Sequence, residues 1–151
     1  MKPMLSLVCC ALLLLIAGCD SGPKSGRGFT LPEGDPNMGE ATFTQLQCNS
    51  CHIVVGKPEI PHPENAEISV KLGGKVRTVQ TYGQLVTSII NPSHRLAKGY
   101  PLEMIQEQGE SKMINYNVVM SVEQLTDLVA FLQAQYELEP YVPTRYQGYF
   151  P

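Results

Sequence analysis

The chain has 151 residues and carries 11 lysines and arginines against 14 aspartates and glutamates, a formal net charge of −3. That balance offers no electrostatic footprint for nucleic acid. Its length bounds it to one ordinary domain plus terminal segments.

The N-terminus has the layout of an export signal. Lys2 is followed by an apolar run from Met4 to Ala17 and by the small-residue ending Ile16-Ala-Gly-Cys19. A bilayer-spanning helix takes roughly 20 apolar residues, so this shorter run reads as a signal of residues 1–18 that is removed. The ending resembles a bacterial lipobox, in which Cys19 is the lipidation site and the new first residue. Cleavage there leaves ten basic against fourteen acidic side chains, a formal charge of −4. Several acyl chains on one cysteine exceed what stable anchoring needs, which places the protein on a membrane surface in the cell envelope, in the periplasm. Residues 19–34 are Gly- and Pro-rich and read equally as a flexible tether that lets an anchored domain swing between partners or as a plain disordered terminus.

Asp35-Pro36 is a helix start, with a side-chain cap and a proline at the first helical position. The helix that follows carries Met38, Phe43 and Leu46 and runs into the motif Cys48-Asn-Ser-Cys51-His52. Gly39 and Phe43 share a face, and a mid-helix glycine implies the close passage of another backbone. The segment Ile68–Val79 alternates around Gly73-Gly74 and suggests a small β-hairpin. A short helix follows, with Thr81 and Gln84 as its cap pair and Pro92 as its stop. The last helix opens on a Ser121/Gln124 capping box, and Leu125, Leu128, Val129, Leu132 and Tyr136 form its buried stripe. The fold class expected is mainly α, with a domain over residues 35–136 and an aromatic and Pro-rich tail over 137–151.

The motif at 48–52 could hold zinc, a disulfide, a redox dithiol or a haem. Free thiols are disfavoured in an oxidising envelope. No second Cys pair or His cluster completes a zinc site, since His62 and His94 stand alone. The pair ends a helix and is followed at once by His52, unlike a thioredoxin-type dithiol. C-x-x-C-H is the attachment signature of c-type haem, with Cys48 and Cys51 as covalent anchors and His52 as proximal iron ligand. A distal ligand must come from downstream. Met113 lies in a loop with freedom to reach inward and is the favoured candidate, the thioether raising the reduction potential. Met120 is placed for a hydrophobic staple with Leu125. Met104 has no positional argument, and His94, just after a proline-stopped helix, is the sharpest rival. His62, between prolines, reads as a solvated loop residue.

The helix with Gly39 and Phe43, the "CNSCH" motif, a loop methionine and the final "LTDLVAFL" together resemble the class I cytochrome c family. Within it, "TYGQLVTSIINPSH" and "MINYNVVMSVEQLTDLVAFL" are similar to monohaem cytochrome subunits and lipoproteins of bacterial sulfur-oxidising and respiratory electron transfer. The chain has Met113-Ile114 where members of that family often carry Met-Pro. The resemblance implies a cytochrome c fold, in which the N- and C-terminal helices cross beside one covalent haem c. Gly39 and Phe43 would then meet Leu128 and Phe131, and a carbonyl near Pro58, Pro61 or Pro63 would receive the His52 ring proton. The function implied is single-electron transfer between redox partner proteins and not catalysis. The chain would act as a free monomeric carrier, with a fixed subunit of a larger oxidoreductase, or a haem enzyme or gas sensor, as alternatives. The tail, with its aromatics and prolines, is expected to wrap the domain, with docking on a partner as the alternative.

Overall fold

The computed structural model describes residues 29–78 and 80–140. The expected signal, the lipidation site Cys19, most of the tether and the tail from residue 141 lie outside the described residues. Chain contacts divide after Leu31, and the unit described below begins at Pro32. No helix among the described residues is long and apolar enough to cross a membrane.

Helix α1 (Pro36–Gln45) starts where its local chemistry directs: the Asp35 side chain accepts from the Asn37 amide, and Pro36 takes the first helical position. Its buried positions are Gly39, Thr42 and Phe43. This is an i, i+3, i+4 face; of the expected Met38, Phe43 and Leu46, Phe43 lies on it, Leu46 is half-buried and Met38 stands off it at 56% exposure. Helix α2 (Tyr82–Ile90) and a short α3 (Leu102–Ile105) follow, and α4 (Val122–Gln133) closes the helical part. Both α2 and α4 carry complete capping boxes, from Thr81/Gln84 and Ser121/Gln124.

The core lies where α1 crosses α4. A Cβ built on Gly39 would overlap the Asp127 carbonyl and come within 2.7 Å of Phe131 Cβ. The closest backbone approach therefore falls at Asp127, one residue ahead of the expected Leu128. Phe43 and Phe131, each 1% exposed, stack at a centroid distance of 5.8 Å and a 57° tilt. Such a pair contributes about 0.5–1.5 kcal/mol beyond its buried area. The buried Asp127 carboxylate accepts from the Asp35 amide at 2.7 Å, tying the start of α1 to the middle of α4. A carboxylate at a helix N-terminus is stabilised by the unpaired amides there. Gly34 packs against the Thr126 carbonyl, so the packed chain includes residues assigned above to the tether.

Among the described residues three small strand pairs accompany the helices. β1 (His52–Val54) runs parallel to β2 (Val70–Leu72), and β3 (Gly74–Val76) runs parallel to β6 (Tyr136–Leu138). An antiparallel hairpin joins β4 (Gln106–Glu107) to β5 (Glu110–Ser111). The hairpin expected around Gly73-Gly74 is thus not formed, and β2 and β3 pair with different neighbours. Both glycines have positive φ, and a Cβ on Gly73 would sit 2.8 Å from Gln135 Cβ. They serve a close passage of backbone, sealed by the Gly74 amide on the Gln135 carbonyl at 2.8 Å. Tyr136 accordingly leaves the α4 stripe to begin β6. Pairing runs on to Glu139, whose amide donates to Val76 O at 2.9 Å, so the start of the expected tail is packed as a strand.

Among the described residues the Tyr82 hydroxyl is buried without a hydrogen-bond partner. Removing an orphan donor releases its desolvation cost, so Tyr82→Phe is expected to leave stability unchanged or raise it by up to about 1 kcal/mol. Urea unfolding midpoints at constant m-value measure this.

Candidate functional site

Helix α1 ends in a sharp reversal. Gln47 takes the left-handed conformation at φ 55°, and Cys48–Ser50 form one 3-10 turn that turns both cysteines off the helix axis. Cys48 and Cys51 are half-buried and unpaired. Burial, with a smaller contribution from Cys51, pushes the Cys48 thiol up to about 11 against a weaker opposing backbone contact. A redox dithiol needs a stabilised thiolate, and at Cys48 burial works against one. Among the described residues no group of three or more His, Cys, Asp or Glu side chains is arranged to hold a metal ion.

His52 opens β1, and the β1–β2 register sets it opposite Val70. The Val70 amide donates to Cys51 O at 2.9 Å, and His52 Nδ1 faces Val70 O at 3.3 Å. With its proton on Nδ1 donated to that carbonyl, the ring keeps the Nε2 lone pair free for a ligand. Burial holds the imidazole below its usual value; the Val70 contact opposes the shift and nearby His62 adds to it. A neutral ring is the form that binds metal. The ring's partner is therefore Val70, not a carbonyl near the prolines at 58, 61 and 63. Those prolines border a different clamp: Asn49 Nδ2 donates to Pro61 O at 2.7 Å, and His62 Nδ1 meets Asn49 O at 2.7 Å. His62, expected in solvent, is half-buried against the Cys motif.

Cys48, Cys51, His52 and Met113 all line one cavity of about 470 Å³. Of the candidate distal ligands, Met104, Met120 and His94 do not line it. His94 is exposed and borders a separate polar cleft with Thr81, Gln84 and Asn91. Met104 and Met120 are half-buried elsewhere, Met120 directly ahead of the α4 cap. The cavity walls add Ile68, Val70, Leu72 and Val76 from one side and Ile105 and Ile114 from the other. Its size and apolar lining are those of a cofactor pocket, typically about 300–1,000 Å³.

Among the described residues every charged side chain in the lining is cationic: Lys71, Arg95, Lys98 and Lys112. None of the four is in an ion pair among the described residues. In a chain of net charge −3 this concentration suits a ligand that is apolar in the body and bears carboxylates. A haem, with its apolar ring, two propionates and two vinyl groups, fits that set of contacts. Sequence reasoning passed over Val70, Tyr116 and the four cations, because each reaches the cavity by chain reversals with no local pattern.

Comparison with known protein families, with curated proteins and with solved structures finds no match to this chain.

Proposed function

We propose that this protein is a monohaem c-type cytochrome, exported and lipid-anchored through Cys19, that passes single electrons between redox partner proteins. The observation that carries the reading is the convergence of Cys48, Cys51 and His52 with the distant Met113 on one apolar cavity. Bound there, haem c would supply a one-electron ferric/ferrous couple. Cys48 and Cys51 would hold it covalently. The neutral His52 ring, oriented by the Val70 carbonyl, would be the proximal ligand, and Met113 would be the distal one. The apolar walls would pack against its ring, and the cations of the lining would face the propionates. With His52 and Met113 both as ligands no position would be left open, which would favour electron transfer over substrate binding. The anchoring and the periplasmic location rest on the sequence context of Cys19.

The test is mass analysis of the peptide spanning residues 48–52 from protein made in a host competent for c-type maturation, together with ferric and ferrous absorption spectra. A covalently added tetrapyrrole and a six-coordinate His/Met spectrum in both oxidation states are the expected results. An unmodified peptide refutes the reading.

A further inference from the structure

The loop that brings Met113 to the cavity has almost no regular structure of its own, yet it is fastened at both ends. On the entering side the Lys112 amide donates to Ile105 O at 2.9 Å, the Ser111 amide to Ser93 Oγ at 3.0 Å, and the Met113 amide to Ser111 Oγ at 3.2 Å. On the leaving side the Tyr116 hydroxyl donates to Leu46 O at 2.7 Å, and Asn117 Nδ2 donates to Ile90 O at 2.7 Å. The two sides differ in what they hold. Ser93, Ile105 and Ile90 belong to the helices and turns on the Met113 side of the cavity. Leu46 is the C-cap of α1, two residues ahead of Cys48. Its carbonyl is one of those a helix end leaves without an intrahelical partner. One phenol therefore joins the segment bearing Cys48, Cys51 and His52 to the loop bearing Met113, and Tyr116 itself lines the cavity between them.

We infer that Tyr116 is the positioning residue for the distal ligand: its hydrogen bond to Leu46 sets the span between the two halves of the site and keeps Met113 directed inward. The inference rests on the haem reading above. Swinging Met113 away requires the loop to open, and on this side the opening must break the Tyr116–Leu46 bond. Losing one such bond raises the open population about five- to tenfold.

The experiment compares the mature unaltered protein with Tyr116→Phe, which removes only the hydroxyl. Tyr116→Leu is the second variant, and Tyr82→Phe is a control whose hydroxyl lies outside the cavity lining. Tyr116→Phe is expected to bind carbon monoxide in the ferrous state about five- to tenfold faster and to lose the long-wavelength ferric thioether band at a lower temperature. Amide hydrogen exchange at residues 113–117 should speed up by the same factor, while exchange in α4 changes little. Tyr116→Leu should match or exceed these changes, and Tyr82→Phe should show none. If the unaltered protein has the thioether band and both Tyr116 variants bind carbon monoxide at its rate, the inference fails and the Met113 assignment stands. If the unaltered protein has no such band, the axial reading fails and takes the inference with it.

Discussion

Met113→Ala is expected to abolish the ferric thioether band, to open the ferrous protein to carbon monoxide, and to lower the reduction potential by the order of 0.1 V, within the ≈ 0.8 V span that axial ligands command. The direction follows from the soft thioether, which favours ferrous iron. Covalent attachment should survive, because Cys48 and Cys51 are untouched. Met104→Ala, Met120→Ala and His94→Ala should all keep the band, since none of the three side chains reaches the cavity lining. Spectroscopy and potentiometry on the four variants decide the matter. A band that survives Met113→Ala and vanishes with Met104 or Met120 would move the ligand. Rapid carbon monoxide binding by the unaltered protein would instead favour the enzyme or sensor alternative.

Gly39→Ala should be among the most damaging single-methyl additions available in this chain. The added Cβ would overlap the Asp127 carbonyl, a backbone atom inside α4 that cannot rotate away. The helices must separate, which loosens the Phe43–Phe131 contact and the Asp35–Asp127 tie that flank the crossing. Overpacking of this kind costs about 1–3 kcal/mol or more, and alanine's better helix propensity returns only about 1 of it. A net loss of about 2 kcal/mol lowers the melting temperature by about 10 °C in a domain of this size. Gly83→Ala, in α2 with nothing within 4 Å of its Cβ, is expected to do the opposite and add about 0.5–1 kcal/mol. Thermal unfolding of the two variants gives the sign directly. Equal destabilisation by both would show that backbone closeness at Gly39 is not what matters.

Features encoded within a few residues are legible in the sequence itself. The caps at Asp35, Thr81 and Ser121, the loop position of Met113, and the grouping of Cys48, Cys51 and His52 each depend on neighbours three or four positions away. Backbone amides and side-chain oxygens meet at those spacings whatever the rest of the chain does. Several expectations that crossed longer stretches did not hold, although the meeting of Gly39 and Phe43 with Phe131 did. Gly73-Gly74 reads locally as a hairpin turn, but the strands on either side find partners at His52 and Tyr136, because the α1–α4 crossing brings the ends of both helices to that place. The carbonyl that orients His52 belongs to Val70, eighteen residues on, and no composition or spacing marks it. The Tyr116–Leu46 bond spans seventy residues, and the half-burial of His62 depends on a loop folding back over Asn49. The sequence alone determined which side chains are chemically able to serve this site. Tertiary structure alone decided which of them share one cavity, since long-range proximity is set by helix packing and strand pairing, and these act through the whole chain.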